Sequence, residues 1–275
     1  MGIAFDQLYT TLNNGNKMPL LGLGVYDMYK EEAIHSVHTA LEAGYRLIDT
    51  AAMYENEVEI GEGIRRSNIS RDEMFVTTKV NNPDQGYDQT LKAFDESLKK
   101  LNIGYIDLYL IHWPIKHKRK ETWRAIEFLY QNKRVKNIGV ANYLLPFLKE
   151  LEEYSNVTPA VNQMEFSPFL FMENEWNYCK QHQIILQAYT PLIRGQKFND
   201  PRLLALSLKY QKTPAQLILR WAIQQGISSI PKSSNATRIK ENFDIFNFEI
   251  DQTDIEQMNR WNEHFRVVDN PMDML

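Results

Sequence analysis

Three short apolar runs in the first half of the chain each end on a group that carries a proton or a charge. Ile48 precedes Asp49, Val76-Thr77-Thr78 precede Lys79, and Leu110-Ile111 precede His112. Tyr54 follows Asp49 after one short loop. A carboxylate at the end of a buried strand is costly unless it is paired, and a buried ammonium beside it is tolerated for the same reason. Each residue alone has a structural reading: a loop cap for Asp49, a solvated head group for Lys79, a wall residue for His112, ring packing for Tyr54. Together they describe an acid site. A phenol at its ordinary pKa of about 10 donates poorly at neutral pH, and a neighbouring ammonium lowers that value. Asp49 would hold Lys79 charged, Tyr54 would give the proton, and His112 would orient a substrate oxygen. An oxygen gaining charge beside a proton donor is the situation of carbonyl reduction. No side chain supplies the hydride, so the chemistry calls for a nicotinamide cofactor.

The backbone must carry these groups to one place. Apolar runs recur as candidate buried strands at Leu20–Gly22, Arg46–Asp49, Phe75–Lys79, Ile106–Ile111, Val135–Val140, Val161–Glu165, Ile184–Ala188 and Ile227–Pro231. Between them lie stretches of helical period. In Gln89–Leu101, Leu91, Phe94, Leu98 and Leu101 share one face and Lys92, Asp95, Lys99 and Lys100 the other. Thr213-Pro214 reads as a helix start and Gly226 as its stop; Ser70 with Glu73, and Thr253 with Glu256, have capping-box spacing. Eight strands alternating with helices over 275 residues predict a (β/α)₈ TIM barrel spanning 1–275 as one domain. Its active groups lie at strand C-terminal ends and in the loops after them. A hairpin from Leu8–Thr11 and Lys17–Leu20, turning at Asn13-Asn14-Gly15-Asn16, would close the bottom of the barrel. An extra helix and a tail follow Asp251.

A net charge of −4 argues against nucleic acid or an anionic membrane as the main partner, because both demand a basic face. The single cysteine, Cys179, excludes an internal disulfide framework. No long apolar stretch suits a membrane span, the first residues lack signal-peptide character, and Asp6 spoils a myristoylation reading of Gly2. These features predict a cytoplasmic protein with no obligate protein partner, no metal site and a small-molecule substrate.

The segments GYRLIDTAAMYENEVEIG, LYLIHWP, VKNIGVANY, VNQMEFSPF and IPKSSNATRIKEN resemble, in order, those of the aldo-keto reductase family. The resemblance covers nearly the whole chain. It implies a catalytic tetrad of Asp49, Tyr54, Lys79 and His112, with Tyr54 as general acid and NADPH as hydride source. It further implies that Asn142 and Gln163 bind the nicotinamide carboxamide and that Tyr189 stacks on the ring. Lys232, Ser233 and Arg238, with Glu241 and Asn242, would hold the adenosine 2′-phosphate and adenine. A Lys and an Arg flanking a hydroxyl at a helix start are suited to a phosphate, and no GxGxxG is present. Tyr26 and Trp113 resemble substrate-pocket walls. The short tail is similar to that of bacterial 2,5-diketogluconate and methylglyoxal reductases and implies an open pocket.

One departure stands out: Ala141 occupies a position where the family usually has Ser, which implies one cofactor hydrogen bond fewer. The basic loop at Lys116, His117, Lys118, Arg119 and Lys120 is either a lure for acidic carbonyl substrates or a solvated loop. Two other functions fit part of the pattern. A nucleotide-binding regulatory or structural protein on the same fold would bind NADPH without turnover. A barrel glycosidase could nominate Glu165 and Asp49, but it leaves Lys79 and Tyr54 without a role.

Overall fold

The computed structural model describes residues 8–274. Gly2 and Asp6, on which the lipidation reading rests, lie outside them. Tyr9–Thr11 (β1) and Lys17–Pro19 (β2) pair antiparallel, so the expected hairpin forms. Its apolar residues Leu12 and Met18 are buried in one cluster with Leu47, Phe75, Leu108, Leu110, Val161 and Ile230. These are the inward-facing side chains of the barrel, and the hairpin therefore closes its floor. The turn is pinned by Asn14 and Asn16, both of which donate to the Asn137 side-chain oxygen at 2.9 Å.

Eight parallel strands follow: Leu23–Gly24 (β3), Leu47–Asp49 (β4), Phe75–Val80 (β5), Ile106–Ile111 (β6), Val135–Ala141 (β7), Val161–Glu165 (β8), Ile185–Tyr189 (β9) and Ser228–Ile230 (β10). Each pairs with the next, and the ends meet through the bridges Leu21↔Ser229 and Gly24↔Lys232. The first strand differs from expectation. The run Leu20–Gly22 bonds to β10, with Ser229 N donating to Leu20 O at 2.8 Å and Gly22 N to Ser229 O at 2.9 Å. The pairing with β4 begins only at Leu23. Gly24 sits at this seam because a Cβ there would stand 2.8 Å from the Ile230 carbonyl oxygen.

Along β6, Leu108 and Leu110 face the interior, while Tyr109 and Ile111 join the outer core under the helices. Strands covered on both sides read as nearly continuous apolar runs, which is why they were legible. The covering helices are Lys30–Ala43 (α1), Glu57–Arg65 (α2), Tyr87–Leu101 (α3), Arg119–Gln131 (α4), Leu145–Tyr154 (α5), Glu173–Gln181 (α6), Pro201–Tyr210 (α7), Pro214–Gln224 (α8) and Ala236–Phe243 (α9), with Gln252–Asn259 (α10) beyond the last strand. On α3, Phe94 and Leu101 are buried and Leu91 and Leu98 pack against them. Capping boxes form at Thr213–Gln216 and at Ser70–Glu73. The box expected at Thr253–Glu256 does not form. Asp251 takes the N-cap position and Thr253 lies inside the first turn of α10.

Candidate active site

Asp49 ends β4, Lys79 lies at the upper end of β5 and His112 follows β6, so adjacent strands deliver all three to one mouth. Lys79 is fully buried. Its Nζ donates to Asp49 Oδ1 at 2.5 Å and to the Thr50 carbonyl at 3.0 Å. Burial pushes the Asp49 carboxyl up and the Lys79 ammonium down, and each partner opposes the other's shift. Tyr54 rides on a single 3₁₀ turn, Ala52–Tyr54, and is half-buried. Its ring meets the Tyr26 ring edge-on at 5.1 Å and the His112 ring at 5.7 Å, and Lys79 Nζ stands 5.1 Å from its centroid.

The phenol's acidity departs from the sequence expectation. Burial, then the charges of Asp49 and Tyr26, push Tyr54 well above its ordinary value. An ammonium already neutralised by a carboxylate 2.5 Å away has little field left to lower a neighbour. Tyr54 therefore keeps its proton at neutral pH. His112 is driven the other way: burial and then Lys79 pull it well below its usual value, so its ring is neutral. Its Nδ1 is buried with no partner among the described residues.

A further polar chain crosses the barrel interior. Gln163 Nε2 donates to Asp49 Oδ2 at 2.6 Å and to Gln187 Oε1 at 2.7 Å, and Gln187 Nε2 donates to Ser228 Oγ at 3.0 Å. Because a carboxylate only accepts, Gln163 must turn its NH₂ toward Asp49. Its Oε1 receives no hydrogen bond from the described residues and remains free for a ligand donor. Gln187 carried no expectation from sequence, although an amide within the apolar run Ile184–Ala188 is the mark of a buried polar network.

Asn142, in the left-handed region at φ 65°, donates to the His112 carbonyl at 2.9 Å and accepts from the Tyr189 hydroxyl at 2.7 Å. The backbone amide of Asn142 donates to the Gln163 carbonyl at 2.8 Å, so Asn142, Gln163 and Tyr189 are brought together. Ala141 is buried among the interior apolar side chains. Beyond β10, Lys232 in the loop and Arg238 in the first turn of α9 are exposed and form no ion pair among the described residues. Buried Ser233 accepts from the Asn235 amide at 3.2 Å, and Asn235 caps α9 by accepting from Arg238 N at 3.0 Å. Asn242 is buried on α9. Glu241 is partly committed elsewhere, accepting from Thr213 Oγ1 at 2.7 Å.

Tyr26 is 55% exposed at the rim, and Trp113 is half-buried. Three residues of the basic loop touch neighbouring segments. Arg119 chelates Glu150, Lys118 donates to the Pro83 carbonyl at 3.3 Å, and Lys120 stands over the Tyr154 ring at 5.4 Å. Lys116, His117, Lys118 and Lys120 are exposed to solvent. Among the described residues no helix is long and apolar enough to cross a membrane, and no three His, Cys, Asp or Glu side chains cluster to hold a metal ion.

The profile of the aldo/keto reductase family matches residues 20–263. The chain belongs to that family. It is 46% identical over 265 residues to a glyoxal reductase of Bacillus subtilis, covering 96% of each chain. A solved aldo-keto reductase from a deep-sea metagenome superposes with a TM-score of 0.92 at 42% identity, covering 95% of this chain and 97% of that one. A Bombyx mori aldo-keto reductase, solved in complex with NADP, gives 0.89 at 37% identity over 95% and 94%. In this aldo/keto reductase the two carboxylates a glycosidase reading would nominate are both engaged by other groups. Asp49 is bound by Lys79 and Gln163, and Glu165 accepts from Val267 N at 2.7 Å and Arg266 at 3.3 Å.

Proposed function

We propose that this aldo/keto reductase uses NADPH to reduce aldehydes, dicarbonyls and some ketones to alcohols, with Tyr54 as the general acid. The observation that carries the reading is the enclosure of Tyr54: a neutral His112 ring at one edge, Tyr26 at another, and the Lys79–Asp49 pair beneath. Kinship with a glyoxal reductase supports small dicarbonyl substrates, and the NADP complex of a relative supports the cofactor.

The residues present fit that cofactor. Lys232 and Arg238 are unpaired cations beside the start of α9, suited to a 2′-phosphate with buried Ser233 between them. Gln163 offers only a carbonyl oxygen, suited to a carboxamide NH₂, and Asn142 and Tyr189 adjoin it. Glu241 and Asn242 serve the adenine side. When bound, NADPH supplies the hydride that reaches the carbonyl carbon.

The protein's own groups manage the proton. His112 Nε2 donates to the substrate oxygen and turns it toward Tyr54. A raised phenol stays protonated until the oxygen becomes basic, and the developing alkoxide is a far stronger base than the phenolate. The proton then passes from Tyr54 Oη to that oxygen. The phenolate left behind faces the Lys79–Asp49 pair, in which Asp49 holds Lys79 in place. Tyr26 and Trp113 form apolar walls for the substrate's remainder.

The test is NADPH oxidation against a panel of aldehydes, dicarbonyls and ketones, with Tyr54→Phe as control. Turnover is expected to fall by about 10²–10⁴-fold in the variant. Undiminished reduction by Tyr54→Phe overturns the proton-donor assignment, and NADPH binding with no turnover on any carbonyl overturns the reductase reading.

A further inference from the structure

Asn56 occupies the position just before α2, where an asparagine side chain ordinarily accepts a hydrogen bond from its own helix. It makes no such bond. Fully buried, it accepts from Thr50 Oγ1 at 2.7 Å and donates to the carbonyls of Val25 at 2.8 Å and Met28 at 2.9 Å. Both of its N–H donors and its oxygen are thus committed to other segments.

Those segments are the ones that surround Tyr54. Thr50 follows Asp49, and its carbonyl accepts from Lys79 Nζ at 3.0 Å. Val25 and Met28 bracket the turn that carries Tyr26, and Val25 N donates to the Asp49 carbonyl at 3.1 Å. Asn56 itself lies two residues after Tyr54. The Tyr54 ring sits on a loop, and its neighbours Tyr26, Lys79 and His112 all come from elsewhere in the chain. Its place among them depends on whatever joins their segments. Asn56 bonds directly to the Tyr26 turn and reaches Lys79 through Thr50, whose carbonyl Lys79 holds.

We propose that Asn56 is a positioning residue for proton transfer: it locks the Tyr54 loop to the Tyr26 turn and to the Asp49–Lys79 strand end, touching neither substrate nor cofactor. The inference rests on Tyr54 being the proton donor. A displacement of the phenol by about 1 Å is enough to cost on the order of 10²-fold in rate. None of the groups suited to the cofactor, Asn142, Gln163, Lys232 and Arg238, is hydrogen-bonded to Asn56, so the cofactor's affinity should change far less than the rate.

The test compares Asn56→Ala and Thr50→Val with wild type, each assayed well below its own unfolding temperature. Expected are a fall in kcat of about 100-fold for Asn56→Ala and about 3–10-fold for Thr50→Val, which removes one hydrogen bond of the three. NADPH dissociation constants from protein fluorescence quenching should stay within about twofold for both. A kcat held within about twofold in folded variants, or a loss of NADPH affinity that matches the loss of kcat, overturns the proposal. Should Asn56→Ala fail to fold, Thr50→Val decides by the same criteria. Tyr54→Phe is run alongside. Full activity there overturns the proton-donor reading itself, whereas low activity there with unchanged kcat in Asn56→Ala overturns only the positioning role.

Discussion

Lys79 Nζ lies 2.5 Å from Asp49 Oδ1, and the two side chains are 0% and 2% exposed. An ammonium and a carboxylate so removed from water depend on each other, because either one left alone keeps its full desolvation cost. Asp49→Ala is therefore expected to destabilise the fold by about 3–5 kcal/mol in urea titrations. Adding Lys79→Met should recover part of that loss, since it removes the stranded charge. A double variant no more stable than the single one would show that pairing is not what holds these groups.

The depressed His112 gives a pH dependence with a definite sign. The unfolded chain binds a proton at this ring near pH 6.5, whereas the buried ring in the folded protein refuses it until well below that. Its contribution is intact above pH 6.5 and is lost as the pH falls, at a rate approaching about 1.4 kcal/mol per pH unit. His112→Asn should lose less stability than wild type between about pH 7 and 5. Identical slopes in thermal or urea unfolding would refute a neutral His112. The raised carboxyls of Glu57 and Glu165 act with the opposite sign and cancel in the comparison.

Glu165, 3% exposed at the end of β8, fastens the C-terminal segment through Val267 N and Arg266. The segment is also tied by Glu263 N and Phe265 N, which donate to the Phe169 carbonyl at 3.1 and 3.0 Å. Glu165→Ala should lower global stability by about 1–3 kcal/mol. Its sharper signature is local: amide exchange at residues 262–274 should quicken by at least about tenfold while the barrel strands stay protected. Uniform change across the chain would argue that Glu165 has no particular hold on the tail.

Ala141 ends β7 one residue before Asn142 and is wholly buried. Ala141→Ser introduces a hydroxyl beside the proposed carboxamide contacts. It should tighten NADPH binding by roughly 0.5–1.5 kcal/mol, about 2–10-fold, as one added hydrogen bond. Weaker binding by the serine variant would mean that the hydroxyl finds no partner and only perturbs the apolar interior.

Much of this architecture was legible because it is local. Parallel strands buried on both faces are written as apolar runs, a β-strand end is marked by the polar residue that stops it, and helices announce themselves through period and caps. Asp49, Tyr54, Lys79 and His112 could be read on those grounds, and the ordered segments from GYRLIDTAAMYENEVEIG to IPKSSNATRIKEN carried the family. What the chain order could not reveal depends on distances between residues far apart in sequence. The seam that gives Leu20–Gly22 to β10, the amide of Gln163 shared by Asp49 and Gln187, and the bonds from Asn56 to Val25 and Met28 exist only once the barrel closes. The acidity of Tyr54 belongs to the same class. The expected meeting of strand ends beside Lys79 argued for a lowered phenol, but burial and the Asp49 charge outweigh an ammonium that its own carboxylate has already neutralised. The sign of a pKa shift is a sum over every neighbour and over the water excluded, and only the tertiary structure assembles that sum.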